Sequence, residues 1–389
     1  DHKMRLSKEL KGDNSESDSK LQQRIAEIDF KRAQDEIYQY VFKILLNKIY
    51  GYFAEKSSPF YDLELAKSIT FTGQSCIKEA AAIIGRYIKK TYDMEYDSIV
   101  FGDTDSVGIT IHPILQKLNI PIDVNGSINP DVYKMALAFK EVIDRKINLW
   151  AKNVLNSKWP KYEFKLESIS TSAIFVKKKN YVLEMICNED GENFYDDKGK
   201  KLRRKYKYTG LEVVKTSTPK KLKPFIKKII EAIIAERNKE KVAELIRKMY
   251  EKFTDFAVED IAVPTSLNNY DKYEKRAMGF KMGKHTPIHV KSAIYYNRLL
   301  EKYKLEHKYE LLKSGEKIKF VLLENNNLGI KTLAFLYEFP KEFSFLVVDK
   351  PAMFHKTVLK PLTRIFKVLK WDIPSPTSAE KNNLLTMFN

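Results

Sequence analysis

The 389-residue sequence has few cysteines, no long apolar run and no surplus of acidic residues. Its two cysteines, Cys76 and Cys187, are far apart and form no CxxC pair, which argues against a zinc site and against a disulfide-stapled secreted scaffold. No apolar run reaches the roughly 18 residues that a membrane-spanning helix needs, and the opening residues do not resemble a signal peptide. We therefore expect a cytoplasmic protein without a membrane partner.

Positive charge is what the sequence has in quantity. Lys and Arg number 69 against 51 Asp and Glu, so the net charge is +18 and the isoelectric point is near 9.4. Apolar residues make up 43%, which is enough for a folded protein with sizeable cores. Such a charge is typical of nucleic-acid-binding proteins. An anionic membrane surface is the alternative partner, but the basic residues are spread over several predicted elements rather than one amphipathic helix.

Apolar periodicity predicts long helices in the first hundred residues. Apolar residues recur at three- and four-residue steps from 20 to 48, which indicates a helix that we expect Gly51 to end. A charged, helix-compatible stretch at 2–11 and an acidic loop at 12–19 precede it, so the pattern predicts an antiparallel helical hairpin. A further helix is predicted from 69 to 92.

The rest of the chain predicts strands and helices in alternating blocks. A β-hairpin is expected at 97–112, a helix at 131–155 and a β-rich block at 162–215. A basic helical block follows at 219–256 and another helix at 290–304. Together these segments indicate the α+β class.

The hairpin segment contains FGDTDS at residues 101–106, flanked by apolar strands. Residues two apart in a strand share a face, so Asp103 and Asp105 should point the same way. Neighbouring carboxylates repel unless a cation lies between them, and Mg²⁺ is held by one or two carboxylates together with substrate phosphates. Such a pair suits phosphoryl transfer with two metal ions. A water-facing acidic turn is the plain alternative, since Asp and Gly are ordinary turn residues.

Two further motifs accompany this hairpin in a fixed order. Upstream lies K-x3-N-x2-YG, formed by Lys43, Asn47, Tyr50 and Gly51. Downstream lies KKxY, formed by Lys178, Lys179 and Tyr181. In this order the three motifs resemble those of family B DNA polymerases. The likeness is closest to the replicative polymerases of T-even-type bacteriophages, and TGLEVVKTSTPK (209–220) and GFKMGKHTPIHVKSAIYYN (279–297) also match that group.

This resemblance implies part of a right-hand polymerase fold, with helical-hairpin fingers, an antiparallel β palm with helices and a mainly helical thumb. We expect fingers at 1–55, palm at 56–209 and thumb at 210–389. The implied activity is template-directed DNA synthesis, in which a nucleotide is transferred from a dNTP to a primer 3′ hydroxyl. The implied cofactors are two Mg²⁺ ions, with Mn²⁺ as a substitute, and the implied site of action is the cytoplasm of an infected bacterial host.

The resemblance assigns roles to the carboxylates. Asp105 is expected to be a direct metal ligand and Asp103 its supporting or transiently coordinating neighbour. Glu167, on a predicted strand, matches an acidic residue near the outer metal, although a surface glutamate is an equal alternative. Phe101 stands where the family usually has Tyr, which removes a hydroxyl and keeps the ring.

The upstream motif is expected to bind the incoming nucleotide. Lys43 would place its charge on the triphosphate, and Asn47 lies on the same helix face. Tyr50 would pack at the nascent base pair, and Gly51 would let the template backbone approach closely. Lys48 stands where the family often has Ser, and whether it reaches substrate or solvent stays open.

The downstream motif and the basic segments are expected to bind primer-template DNA. Lys179 and Tyr181 would share a strand face and test the minor groove of the primer end. Phosphate contacts are expected from Lys178, Lys207, Lys215, Lys284 and His289. His285 and His289 do not suggest a helical metal pair, because Pro287 lies between them.

Two protein partners are implied. The apolar tail residues Leu384, Leu385, Met387 and Phe388 resemble a sliding-clamp anchor, with docking on the chain's own domain as the alternative. The family's first metal-binding carboxylate and its exonuclease have no counterpart in the sequence. We therefore hypothesise that the chain acts with a separate amino-terminal polypeptide that carries both. A non-catalytic DNA-binding subunit derived from a polymerase is the alternative function.

Overall fold

The computed structural model describes residues 18–195, 200–277, 279–283 and 285–374. The helices are α1 (Asp18–Ala54), α2 (Leu63–Tyr92), α3 (His112–Leu118), α4 (Pro130–Asn153), α5 (Lys223–Glu236), α6 (Lys239–Thr254), α7 (Val258–Ile261), α8 (Tyr270–Glu274), α9 (Ile288–Tyr303), α10 (Lys350–Phe354) and α11 (Lys360–Val368). The strands are β1 (Ile99–Asp103), β2 (Ser106–Ile109), β3 (Asp123–Val124), β4 (Ser127–Ile128), β5 (Ile169–Lys177), β6 (Asn180–Cys187), β7 (Phe194–Tyr195), β8 (Lys201–Leu202), β9 (Lys205–Thr209), β10 (Val263–Ser266), β11 (Lys317–Leu322) and β12 (Thr332–Phe335). Helices mixed with small antiparallel sheets confirm the α+β class.

Helix α1 is longer than its sequence pattern predicts. The expected end at Gly51 is wrong, because the helix continues to Ala54. One glycine inside a long helix costs only about 1 kcal/mol relative to alanine, which neighbouring turns can absorb. The stretch at 2–11, expected to form the first arm of a helical hairpin, lies outside the described residues.

Most of the apolar surface of α1 is exposed. Its apolar residues are distributed around the helix axis rather than on one face. Phe30, Tyr40 and Leu46 have exposed fractions of 69%, 65% and 67%. Within the described residues, burial against the rest of the chain therefore covers little of this helix.

Helices α2 and α4 form one core with the β1–β2 hairpin. The predicted helix at 69–92 is confirmed and starts earlier, at Leu63, because the Asp62 carboxylate caps it by accepting the Leu65 N–H at 2.9 Å. Ile84 and Ile88 of α2 pack against Phe139 of α4 in this core. The packing fixes the hairpin to two rigid helices.

The segment before β5 does not form the predicted strand. Residues 161–168 run irregularly along α4. Asn148 accepts the Tyr162 N–H and donates to the Tyr162 carbonyl, at 2.9 and 2.7 Å. Asp144 accepts the Phe164 N–H at 2.7 Å. Because helix side chains satisfy these backbone groups, a strand partner is not needed.

Strands β5, β6 and β9 form an antiparallel sheet with two different faces. We call one the hairpin face, because Phe175 and Tyr181 lie there against the β1–β2 hairpin. We call the other the helix face, because Ile174 and Val182 are buried there in the core that contains α5. Alternation along the strands places Lys207 on the hairpin face and Glu184, Tyr206 and Tyr208 on the helix face.

The carboxyl-terminal half encloses the largest core. Helices α5, α6, α9, α10 and α11, the antiparallel β10–β11–β12 sheet and a short 3-10 turn at Lys341–Phe343 contribute buried side chains, including Phe253, Phe335, Phe343, Phe354 and Phe366. The single helical block predicted at 219–256 is in fact two helices. They are separated at Arg237, whose φ of +49° ends α5, and at Asn238, which caps α6. Within the described ranges, no helix combines the length and apolarity needed to cross a bilayer.

Candidate active site

The tip of the β1–β2 hairpin confirms the predicted acidic turn. Asp103 and Ser106 form the last cross-strand pair, so the loop consists of Thr104 and Asp105. Thr104 has a φ of +46°, a left-handed conformation that costs a non-glycine residue roughly 1–2 kcal/mol. Hydrogen bonds from the Asp105 N–H and the Ser106 hydroxyl to the Asp103 carbonyl, at 2.5 and 3.2 Å, hold the turn. A strained turn therefore carries both carboxylates.

An aromatic cluster fixes the direction of the hairpin. The Phe101 ring stacks on Tyr181 with 5.2 Å between ring centroids, and it contacts Phe175 at 5.5 Å. The ring crosses Gly108 on β2 so closely that a Cβ there would lie 2.0 Å from it. The missing Cβ is what lets Phe101 reach the sheet. A glycine inside a predicted strand is the sequence signal that marks such a close approach.

The predicted position of Lys178 and Lys179 on a strand is wrong. They form the two-residue turn between β5 and β6, closed by the pair Lys177 and Asn180. Lys179 has a φ of +59°, and its Nζ lies 3.2 Å from Oδ1 of Asp103. The alternation of apolar and polar residues did not predict this turn, because residues 177–180 (KKKN) contain neither glycine nor proline. The turn brings two separate motifs into contact.

Gly210 packs closely against the backbone of this turn, a role that the sequence analysis did not predict. It follows β9 with a φ of +63°, and a Cβ there would lie 2.0 Å from the carbonyl oxygen of Lys179. Only glycine permits both the conformation and the approach. The signal in the sequence was a glycine directly after an alternating strand, in TGLE.

The Asp103 carboxylate is held in its charged form. Partial desolvation acts to raise its pKa, but the hydrogen bonds from Lys179 and Thr104 and the charges of Lys179 and Lys178 outweigh it. The pKa of Asp103 is therefore lowered from its ordinary value. For a lowered carboxyl pKa, the associated stability is present above the ordinary value and is lost as the pH falls through the lower folded-state value.

We expect Lys179→Met to raise the pKa of Asp103. The substitution keeps most of the side-chain length and removes the ammonium that favours the carboxylate. Titration of the Asp103 carboxyl carbon by NMR measures the change. Lys177→Met, on an exposed lysine of the same strand end, is the control and should leave the titration where it was. An unchanged Asp103 titration in Lys179→Met would show that the ion pair does not form in solution.

The two aspartates match the ligand chemistry of Mg²⁺. Both offer carboxylate oxygens, Asp105 is exposed, and Mg²⁺ commonly uses one or two protein carboxylates with phosphate and water oxygens. Among the described residues, three His, Cys, Asp or Glu side chains never converge into a metal-binding group. The aspartates can therefore hold part of a coordination sphere, and the other ligands must come from elsewhere.

The remaining predicted acidic and basic residues lie apart from this tip. Glu167 precedes β5 rather than lying on a strand, and it pairs with Lys207 at 2.8 Å. Lys215 pairs with Glu212 at 2.6 Å. Burial lowers the pKa of His289, so at neutral pH it would meet a phosphate as a neutral hydrogen-bond donor. Lys284 and the tail residues Leu384, Leu385, Met387 and Phe388 lie outside the described residues.

The upstream motif occupies the last turns of α1. Lys43 and Asn47 are exposed, and in the described structure neither has a hydrogen-bond or ion-pair partner. Tyr50 is 40% exposed, and a Cβ at Gly51 would meet nothing within 4 Å. Nothing within the described chain requires a glycine at this position, so the open space suits an approach from outside. Within the same residues, no hydrogen bond joins this motif to the hairpin tip.

Comparison with known proteins identifies the family to which this chain belongs. The model of "DNA polymerase family B" matches residues 18–369. The chain belongs to DNA polymerase family B. The resemblance inferred from the three motifs is thereby confirmed.

Several family B polymerases are similar over most of this chain. The "DNA-directed DNA polymerase" of Enterobacteria phage T4 is 26% identical over 339 residues, covering 82% of this chain. The polymerase of Escherichia phage RB69 is 26% identical over 365 residues, covering 89% of this chain. A "DNA polymerase" of Pyrococcus glycovorans is 24% identical over 252 residues, or 64% of this chain. The matched regions span only 36%, 38% and 26% of those three relatives.

Proposed function

We propose that this chain performs template-directed DNA synthesis, joining a nucleotide from a dNTP to the 3′ hydroxyl of a primer. The observation that supports this most strongly is the 3.2 Å ion pair between Lys179 and Asp103, because it joins two separate family motifs at one tip. The right-hand arrangement, with fingers at 1–55, palm at 56–209 and thumb at 210–389, is part of the proposal.

In this mechanism Asp105 and Asp103 would hold Mg²⁺ or Mn²⁺. When bound, such ions supply charge neutralisation at the attacking and leaving oxygens of the phosphoryl transfer. Lys179 keeps Asp103 ionised and oriented, and its side chain is still 58% exposed, which leaves ammonium hydrogens for a DNA strand. Tyr181, stacked on Phe101, would stiffen the surface under the primer end.

The end of α1 would bind the nucleotide and the template. Lys43 is exposed without a carboxylate partner in the described chain, so its charge is available to a triphosphate. Asn47 lies one turn further along the same face. Tyr50 offers a partly exposed ring to the new base pair, and the space over Gly51 suits the template backbone. Primer-template DNA and a dNTP are therefore the proposed substrates.

A further polypeptide segment is part of this proposal. The two aspartates leave the metal site short of ligands among the described residues, and α1 exposes an apolar surface too large for an isolated helix. A polypeptide that covers α1 and adds the missing carboxylate would answer both needs. Primer extension by the chain alone should be weak but measurable, so variants can still be compared with the wild type. It also tests this point: robust synthesis without any other polypeptide would contradict it. The sliding clamp stays a prediction, because its expected anchor lies outside the described residues.

We expect Lys43→Met to raise the KM for dNTP on the order of 100-fold, because it removes a charge from the triphosphate site. Lys48→Met is the matched control, since Lys48 is equally exposed on the same helix. Single-nucleotide primer extension over a range of dNTP concentrations measures both variants. Equal increases in the KM of the two variants would overturn the role of Lys43. An increase in Lys48→Met alone would assign the triphosphate contact to Lys48 instead.

A further inference from the structure

A basic cleft begins on the helix face of the β5–β6–β9 sheet, where Ser172, Glu184 and Tyr206 line it, and extends to the β3–β4 turn. It consists of two open cavities of about 490 and 570 Å³ that share Arg203. The first is bounded by the β3–β4 turn and by Lys201; the second by Glu184, Tyr206 and the end of α5 at Arg237. The β1–β2 hairpin packs on the other face of this sheet, and neither cavity is lined by a residue of the hairpin, so the cleft is distinct from the candidate active site.

The two acidic groups in the cleft already have hydrogen-bond partners. Asp123 pairs with Arg204 at 2.5 Å, and this contact lowers the pKa of Asp123. Glu184 accepts hydrogen bonds on both carboxylate oxygens, from the hydroxyls of Tyr206 and Thr171 at 2.9 and 2.5 Å. Glu184 keeps its charge, because its partners are neutral hydroxyls. The lining of the cleft therefore combines four cations, Lys201, Arg203, Arg204 and Arg237, with two carboxylates, which leaves a net charge of +2.

Three cations in the cleft form no ion pair within 4 Å among the described residues, although the charge of Arg203 helps to lower the pKa of Asp123. Lys201 donates to the Ser127 hydroxyl at 2.8 Å, and Arg237 donates to the Ser172 hydroxyl at 2.9 Å. Arg203 forms no ion pair in the described structure and lies between the two cavities. All three side chains are exposed. Bonds to neutral hydroxyls orient Lys201 and Arg237 without cancelling their charges, so these two cations are directed and available.

The backbone conformation of Arg237 determines where its side chain leaves α5. This residue ends α5 with a φ of +49°, the position where helices most often have glycine. Arginine is strained there by roughly 1 kcal/mol relative to glycine. The guanidinium nevertheless occupies the wall of the cleft, with one hydrogen bond to β5 that fixes it.

An exposed aromatic ring lies beside these charges. Tyr195 on β7 is directly paired with Lys201 on β8, so the two side chains share a face of this small hairpin. Tyr195 is 61% exposed. A ring next to an ammonium offers a surface on which a base can stack while its phosphate meets the charge.

We propose that this cleft binds the phosphodiester backbone of single-stranded DNA. Two cavities that share one arginine suit an extended chain of phosphates better than one compact anion. Tyr195 provides stacking that does not depend on sequence, which a free phosphate would not use. The proposal rests on the charges of the cleft and would stand if the proposed active site were wrong.

Fluorescence anisotropy with a labelled 20-nucleotide oligo-dT tests the proposal on the full chain. The test variant combines Lys201→Gln, Arg203→Gln and Arg237→Gly, in which glycine also relaxes the backbone of residue 237. We expect at least a tenfold weaker affinity at 0.1 M salt. We also expect the slope of log affinity against log salt to fall by about 2, since each phosphate contact to a single strand contributes about 0.7.

The control variant combines Lys304→Gly, Lys313→Gln and Lys367→Gln. Lys304 also ends a helix with a positive φ, of +56°, and all three side chains are exposed away from the cleft. This control should change the affinity less than threefold. Two outcomes would overturn the proposal. Equal losses of affinity in both variants would show that binding depends on total charge, and an unchanged affinity in the test variant would show that the oligonucleotide binds at another site.

Two further measurements locate the bound strand and exclude a small anion. A photo-crosslinking benzoylphenylalanine at position 195 should capture the oligonucleotide in the wild-type cleft and lose it in the test variant. Inorganic pyrophosphate at millimolar concentration should leave the oligo-dT bound; displacement would assign the cleft to a free phosphate ligand instead. Thermal melting by circular dichroism checks that both triple variants are folded. Primer extension by active-site variants reports separately on the proposed function.

Discussion

Asp105→Asn should reduce primer extension at least on the order of 100-fold. The substitution keeps the size of the side chain and removes the charge that a metal ligand needs. Asp105 lies exposed at the strained tip, whereas Asp103 is already engaged by Lys179, so Asp105 offers the freer carboxylate. Binding of Mn²⁺, followed by electron paramagnetic resonance, should weaken in the same variant.

The matched control for this variant is Asp190→Asn. Asp190 is also an exposed aspartate in a turn, between Asn188 and Gly191, and it lies away from the hairpin tip. Its removal should leave both readouts within twofold of the wild type. Undiminished synthesis and Mn²⁺ binding in Asp105→Asn would reject Asp105 as a metal ligand. Lost synthesis with retained binding of duplex DNA would also reject the non-catalytic DNA-binding alternative.

Gly210→Ala should destabilise the chain by about 3 kcal/mol, because the added methyl must displace the Lys179 carbonyl as well as adopt a positive φ. The turn that carries Lys179 would move, and with it the ion pair to Asp103. A displacement on this scale can cost on the order of 100-fold in rate. Urea unfolding measures the loss of stability, and primer extension measures the loss of activity.

Gly329→Ala separates the steric clash from the backbone cost. Gly329 has a φ of +65°, nearly the same as the +63° of Gly210, but a Cβ there would meet nothing within 4 Å. We expect this control to lose about 1 kcal/mol and to retain activity. If both variants lose the same stability, the close approach of Gly210 to Lys179 is not what matters.

The long elements and the acidic turn could be predicted from the sequence because their signals are local. Apolar periodicity identified the helices at α2, α4 and α9, and the alternation around FGDTDS predicted a hairpin. The end of α1 lies beyond Gly51, because a single glycine does not interrupt the helix. Motif order identified the family without any structural information.

The parts that could not be predicted depend on tertiary contacts. Glu167 lies in a segment whose backbone is satisfied by Asp144 and Asn148 of a helix, which no strand pattern can reveal. The Lys178–Lys179 turn has no turn-forming residue of its own and is made possible by Gly210, distant in sequence. The neutral hydroxyl partners of Lys201 and Arg237 likewise come from other elements.

The two faces of the β5–β6–β9 sheet limit how this region can change in evolution. Along β6, Tyr181 faces the β1–β2 hairpin and Val182 faces the core, so one inserted or deleted residue would exchange the two sets of side chains. Insertions inside β6 should therefore be tolerated only when they add an even number of residues, because each side chain then stays on its own face. The segment between β6 and β9, which contains the small β7–β8 hairpin, has no such constraint. Length differences among relatives should accumulate there, where a binding surface can be gained or lost without disturbing the carboxylates.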